Sequence, residues 1–309
     1  MAVKGQIVKT TGSWCKVLLE DGMVADCRLS GKLRLGNQLT TNPVAAGDFV
    51  TLKMQEDQTG VISEIDERKT ILERKATHGR RGTQIMAANV DRIIVVQSLR
   101  KPALKTGFID RLLVYSEWAH IPAVLVLNKF DLSDGESDRQ KNTFLETLYR
   151  SLGYKVLFCS ALDGHGMQAL HNELKNKTSV LSGPSGTGKT SLINALYPGL
   201  NLKIGDVSAF SNKGKHTTTY TQLLLLPDGV KIIDTPGIRE FGLSGLNPST
   251  LSHYFPEMAP FLTQCRYSNC THRHEPSCGV KEALLTGEIS ESRYRSYMNM
   301  TESALSEGF

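Results

Sequence analysis

Apolar and polar positions alternate in short runs along about the first 70 residues of the chain. Gln6–Thr10, Trp14–Leu19, Met23–Arg28 and Asp48–Met54 are rich in β-formers, Val61–Ile65 adds a fifth run, and Asp21-Gly22 is a hairpin signal. No helical period of useful length interrupts them. Five short strands predict a small β-barrel over residues 1–72, and an oligonucleotide-binding (OB) type barrel is the natural candidate. Strand number alone does not separate it from other small barrels.

The pattern changes after a Gly- and Arg-containing stretch, Lys75–Gln84, which reads as a linker. Short apolar runs follow at Val90–Gln97, Ala123–Leu127, Lys155–Cys159, Ser179–Ser182 and Val230–Ile233, with a further strand expected at Thr221–Leu226. Amphipathic stretches at Phe108–Ala119, Ser137–Leu152 and Gly166–Leu174 lie between several of them. That alternation predicts a mostly parallel sheet covered by helices over residues 85–246. From 247 to 309 the character shifts again. A Cys/His cluster precedes helical segments at Val280–Leu285 and Ser290–Ser306, divided by Gly287, so the third domain is expected to be α-helical and organised by a metal.

Composition narrows the class. With 40% hydrophobic residues in 309, the chain builds ordinary cores, which excludes a largely disordered protein. No run approaches ~20 consecutive apolar residues, so no membrane span is expected. The start, MAVKGQIVKT, lacks the apolar core of a secretory signal, and the expectation is a cytoplasmic protein, monomeric by default. The net charge of +5 is mildly basic and compatible with nucleic-acid binding without requiring it. Its distribution says more: between Arg68 and Arg81 six Lys/Arg stand against one acid, Glu73.

Gly183-Pro184-Ser185-Gly186-Thr187-Gly188-Lys189-Thr190 matches GxxxxGK[ST], follows an apolar strand and precedes the helical-looking Ser191–Tyr197. The glycines let successive backbone N–H groups face phosphate oxygens, and the helix start adds a favourable dipole. Lys189 is expected on the β- and γ-phosphates and the Thr190 hydroxyl on Mg²⁺. This loop alone does not distinguish ATP from GTP.

Asn128-Lys129-Phe130-Asp131, after the apolar AVLVL, has the NKxD pattern. An ionised Asp131 can accept from guanine N1–H and the exocyclic amine, a donor pair that adenine lacks. The Lys129 stem can cover the base, and Asn128 can tie this turn to the phosphate loop. Ser160-Ala161-Leu162 also follows a strand and has the SAx pattern, whose backbone N–H approaches guanine O6. Both segments fall at carboxyl ends of expected strands, where open α/β sheets bind ligands. Conventional GTPases place the phosphate loop first. Here it follows the base-reading segments and precedes Asp234-Thr235-Pro236-Gly237, the DxxG pattern, so the domain is expected to be circularly permuted.

Asp234 is expected to hold Mg²⁺ through water, and the Gly237 N–H to sense the γ-phosphate. Ile238 stands where Ras-type GTPases carry a water-positioning Gln, so intrinsic hydrolysis should be slow. Ser211–Tyr220 lies where the first switch belongs. One of Thr217, Thr218 and Thr219 should close on Mg²⁺, and His216 is a candidate for positioning the attacking water, with a loop histidine that contacts RNA or nothing as its competing reading.

Cys265, Cys270, His272 and Cys278 supply three thiols and an imidazole, a set that suits closed tetrahedral Zn²⁺ in a structural role; His274 is a spare imidazole that could stand in for His272. Cys15, Cys27 and Cys159 are scattered and read as structural.

Taken together, NKFD, GPSGTGKTS, GKHTTT, DTPG and the Cys/Cys/His/Cys cluster resemble the ribosome small-subunit-dependent GTPase A (RsgA) family over nearly the whole chain. The resemblance implies a late maturation factor that binds the small ribosomal subunit through ribosomal RNA, hydrolyses GTP to GDP faster on the subunit, and is then released. The residues themselves reach a GTP switch with two RNA-facing appendages. An RNA scaffold merely ordered by GTP, or a GTPase acting on tRNA or a protein, are the competing classes.

Overall fold

The computed structural model of the chain describes residues 2–35, 43–75, 83–200, 202, 221–234 and 246–306. Strands β1 (Ala2–Thr11), β2 (Trp14–Leu19) and β3 (Val24–Leu29) run antiparallel in succession, as do β4 (Phe49–Met54) and β5 (Gly60–Ile65). A five-residue helix, α1 (Gly31–Leu35), follows β3. Strand β5 lies parallel to β3 and β4 returns antiparallel to β1, closing a five-stranded barrel in the order β1-β2-β3-β5-β4, the small OB-like barrel expected of the sequence. The period-two pattern sends Ile7, Cys15, Val17, Cys27, Val50, Leu52 and Ile62 inward. Burial pushes the Cys15 thiol up to about 12 and Cys27 up to about 11, so both stay neutral and serve as core.

The stretch read as a linker is partly structured. Lys75 ends β6 (Ile71–Lys75) and Thr83 begins β7 (Thr83–Ala88), and the two strands pair antiparallel. Leu72, Met86 and Ala87 are buried in the core beneath the central sheet. The Tyr115 hydroxyl ties the ribbon down, accepting from Glu73 N–H and donating to Glu73 C=O at 3.2 Å each. The pairing is fixed by distant partners, and no local period announced it.

Strands β8 (Arg92–Ser98), β9 (Ala123–Asn128), β10 (Lys155–Phe158), β11 (Thr178–Ser182) and β13 (Lys231–Asp234) lie parallel in the order β10-β9-β8-β11-β13, with β12 (Gln222–Leu225) antiparallel beside β13. Their near-continuous apolar runs follow from burial on both faces. Ile93, Val95, Leu125 and Leu127 meet α2 (Thr106–Trp118) and α3 (Glu136–Ser151), whereas Ile94, Val96, Val124 and Val126 meet α4 (Met167–Leu174) and α5 (Lys189–Leu196). The barrel joins this sheet edge to edge, β1 meeting β12 at Lys9 and Gln222.

Helices α6 (Gly279–Leu285) and α7 (Glu291–Ser306) form the last region with short 3-10 turns at Leu251–Tyr254 and Ala259–Gln264. Its core of Phe255, Met258, Val280, Tyr297 and Met300 includes Val114 of α2. An ionic network underlies that contact. Arg293 of α7 is fully buried, and its guanidinium donates to Asp110 of α2 at 2.7 Å and to Glu257 at 2.6 Å while lying over the Phe255 ring. Asp110 also accepts from the hydroxyls of Tyr149 (2.9 Å) and Ser296.

Candidate functional site

The phosphate loop leaves β11 at its carboxyl end and enters α5 through Gly188, whose φ of +92° is left-handed. Gly183 is required for a different reason: a Cβ there would stand 2.1 Å from the Val96 carbonyl oxygen. The loop is internally braced, Thr187 Oγ1 donating to Pro184 C=O at 3.0 Å. Lys189 and Thr190 are buried at the first turn of α5, and the Lys189 ammonium donates to the carbonyls of Gly183 (2.8 Å) and Pro184 (3.0 Å) at the mouth of the loop.

The NKxD turn is anchored to that loop. Asn128, buried at the end of β9, donates from Nδ2 to the Thr187 carbonyl at 2.8 Å. The tie passes so close that a Cβ on Gly188 would stand 2.3 Å from the same nitrogen. Phe130 and Asp131 open a short 3-10 turn, and Lys129 before it sits in the left-handed region at φ +62°. The exposed Asp131 carboxylate accepts at Oδ1 from buried Ser160 Oγ at 2.7 Å. Ser160 also accepts at Oγ from the N–H groups of Leu162 (3.2 Å) and Asp163 (3.3 Å), which curls the SAx segment around the carboxylate. The structure therefore brings Asn128, Asp131, Ser160 and the phosphate loop together as the sequence predicts.

Two neighbours carried no signal in the sequence. The Lys129 ammonium donates to the Lys101 carbonyl in the 99–105 segment after β8, and Pro102 in that segment lies against the phosphate loop, 3.5 Å from where a Gly186 Cβ would stand. His165 stacks on Phe130, ring centroids 4.7 Å apart, and packs against the NKxD turn from outside.

Asp234 ends β13, one strand beyond the phosphate-loop strand. Its side chain lies outside the described residues, as do Thr235, Pro236, Gly237, Ile238 and the Ser211–Tyr220 segment with His216, Thr217, Thr218 and Thr219.

Cys265, Cys270, His272 and Cys278 converge, their ligand atoms all within 4.8 Å of one another. Cys265 Sγ lies 3.5 Å from His272 Nδ1 and 3.9 Å from Cys278 Sγ, and His272 Nδ1 lies 3.4 Å from Cys278 Sγ. A tetrahedral site with bonds of about 2.0–2.3 Å has edges of roughly 3.5–3.8 Å, so this donor set can hold a metal ion of that kind. Burial keeps the His272 imidazole neutral by lowering its pKa, leaving a lone pair for ligation. The Glu275 carboxylate shapes the loop by accepting from the N–H groups of Thr271, Arg273 and His274 and from the Thr271 hydroxyl. Burial opposes ionisation there, but those hydrogen bonds prevail and hold its carboxyl down at about 2. His274 is not drawn into the cluster.

Comparison with known proteins agrees with this geometry. The model of the RsgA GTPase family matches residues 65–244, and that of the RsgA N-terminal domain matches residues 4–62. A small ribosomal subunit biogenesis GTPase RsgA of Bacteroides fragilis is 42% identical over 300 residues, covering 97% of this chain and 96% of that protein. Its counterpart from Porphyromonas gingivalis is 40% identical over 310 residues, covering 99% and 98%. Among solved structures, YjeQ from Thermotoga maritima superposes with a TM-score of 0.78 at 36% identity over 99% of both chains. YloQ, described as a circularly permuted GTPase, gives 0.76 at 28% identity over 98% and 96%. With the NKxD turn tied to a phosphate loop that follows it in the chain, and with these likenesses running nearly end to end, the chain belongs to the RsgA GTPase family and is a circularly permuted GTP hydrolase.

Proposed function

We propose that this protein assists late maturation of the small ribosomal subunit: it docks through ribosomal RNA, hydrolyses GTP faster when docked, and leaves once GTP is cleaved. The observation that carries the switch is the 2.8 Å hydrogen bond from Asn128 to the Thr187 carbonyl, because it makes base recognition and phosphate binding one mechanical unit. The subunit enters through the names of relatives that share nearly the full chain.

In this reading Asp131 accepts from guanine N1–H and its amine, the Lys129 stem covers the base next to Phe130, and Ser160 fixes the carboxylate. The Ala161 N–H, beside Leu162, donates to guanine O6. Residues Gly183, Pro184, Ser185, Gly186, Thr187, Gly188, Lys189, Thr190 and Ser191 wrap the phosphates, with Lys189 leaving its loop carbonyls for the β- and γ-phosphates. Mg²⁺, held by the Thr190 hydroxyl and through water by Asp234, supplies neutralisation of charge developing on the phosphates. Gly237 senses the γ-phosphate, one of Thr217, Thr218 and Thr219 closes the first switch, and His216 positions the attacking water that Ile238 cannot orient. Cys265, Cys270, His272 and Cys278 close a structural Zn²⁺ site. We assign the protein to the cytoplasm as a monomer; among the described residues no helix is long and apolar enough to cross a membrane.

Steady-state GTP turnover measured alone, with purified small subunits and with large subunits tests the proposal. Stimulation of at least ten-fold by small subunits alone is expected. Unchanged turnover would leave an RNA scaffold ordered by GTP, and stimulation by tRNA instead would redirect the partner. Loss of the stimulated rate in His216→Ala, with nucleotide affinity retained, is expected of the water-positioning role.

A further inference from the structure

At the edge of the central sheet opposite the phosphate loop, a cleft of about 590 Å³ opens against the barrel. It sits at the amino ends of the parallel strands: Asp91 precedes β8, Lys177 precedes β11, which Thr178 begins, and Lys231 begins β13. Phe49 of β4 reaches it from the barrel, and Lys69 from the segment between β5 and β6. Strands of four to seven residues span about 13–23 Å, so this edge is separated from the phosphate loop by the length of the sheet.

Its charge is unbalanced. Lys69 and Lys177 are exposed, and neither ammonium has an ion-pair partner among the described residues. Lys231 is half-buried; its ammonium donates to the neutral Gln6 Oε1 at 2.7 Å, and desolvation lowers its pKa, with Asp91 opposing in part. The Asp91 carboxylate is already engaged, accepting from the Thr178 N–H at 2.8 Å. One carboxylate against three ammonium groups leaves the lining of the cleft net positive, and an incoming anion is attracted to it. Phe49 is 41% exposed beside these ammonium groups. Lys69 also belongs to the basic run that opens at Arg68. Arg68 itself is spent on structure, its guanidinium donating to both oxygens of buried Asp48 at 2.7 and 2.8 Å, whereas Lys69 is left facing the cleft.

We propose that this cleft binds a nucleotide of single-stranded RNA, its base laid on Phe49 and its phosphates held by Lys69, Lys177 and Lys231. An unstacked base offers the flat face that an exposed aromatic ring accepts, and a phosphodiester needs only point charges around it, which ammonium groups supply. An acidic peptide would use the three lysines but give the ring nothing. The assignment rests on the reading of RNA as the docking partner and gives it a contact surface on the far side of the sheet from GTP.

The test uses the full-length protein and a fluorescein-labelled, mixed-sequence single-stranded RNA dodecamer, titrated at several salt concentrations. The double variant Lys69→Gln/Lys177→Gln should bind about ten-fold more weakly and lose about 1.4 from the salt slope, at about 0.7 per phosphate contact on a single strand. Phe49→Leu should bind at least about five-fold more weakly, through lost stacking, with its slope unchanged. GTP turnover without RNA and the thermal midpoint should match wild type in both variants. If wild type binds the dodecamer and both variants bind it equally well, the cleft assignment falls and RNA docking stands. If wild type binds neither the dodecamer nor small subunits, both fall together. A polyglutamate peptide that displaces the RNA at equal affinity overturns the RNA assignment in favour of an acidic protein partner.

Discussion

Asp131 illustrates how a single carboxylate is oriented by its neighbours. Ser160 donates to one of its oxygens at 2.7 Å and is itself held by two backbone N–H groups, so the carboxylate is oriented before any base arrives. Asp131→Asn replaces an acceptor with a donor at the edge that meets guanine N1–H. Competition binding should then show preference moving from GTP toward xanthosine triphosphate, and an unchanged preference would contradict the base-reading role. Ser160→Ala keeps the carboxylate but frees it. A hydrogen bond to a charged group contributes about 1.5–3 kcal/mol, so GTP affinity should fall about ten-fold or more, read by titration with a fluorescent guanine nucleotide.

The phosphate loop has no room for a side chain at Gly183, and the Cys/His loop is held by hydrogen bonds to Glu275. Gly183→Ala would drive a methyl group into the Val96 carbonyl, and β8 would have to part from β11 to admit it. Nucleotide binding should be abolished while the far-ultraviolet circular dichroism stays near wild type. In the last region, Glu275 gathers three N–H groups of the loop that carries Cys270 and His272. Glu275→Gln weakens that support without touching a ligand. Outer-shell changes typically lower metal affinity about 10–100-fold, and competition with a chromogenic chelator should report a loss in that range.

Across the whole molecule the three regions share interfaces that are chemically different. The barrel continues the central sheet through β1 and β12, and the ribbon of β6 and β7 packs beneath the sheet. The last region is fastened by charge, with Arg293 between Asp110 and Glu257 and shielded from water. Arg293→Met would leave two buried carboxylates without a counter-ion. Breaking a buried pair in this way typically costs about 3–5 kcal/mol, so urea unfolding should show a loss of that size. A loss below about 1 kcal/mol would mean the network is not structurally required. Because Asp110 lies on α2 and Tyr149 on α3, the same variant should also loosen the packing of both helices.

Much of the fold and most of the described site were legible in the chain because they are written in local terms. Period-two alternation marked the barrel strands within a residue or two, except that β1 begins four residues earlier than expected, and two-sided apolar runs marked the parallel ones. Glycine spacing marked the phosphate loop, and the Cys/His spacing marked a cluster whose atoms do meet. The order of the motifs revealed the permutation without any coordinates, since chain order is a property of sequence alone. What only the tertiary structure decided is which distant residues come together: Lys75 and Thr83 across a ribbon read as a linker, Lys129 on the Lys101 carbonyl, Arg293 on Asp110, and Phe49, Lys69 and Lys231 in the lining of one cleft. Periodicity reports which side of its own element a residue occupies. Which foreign element comes to cover that side is set by the packing of the whole chain, and there the unmatched charges and buried ions acquired their meaning.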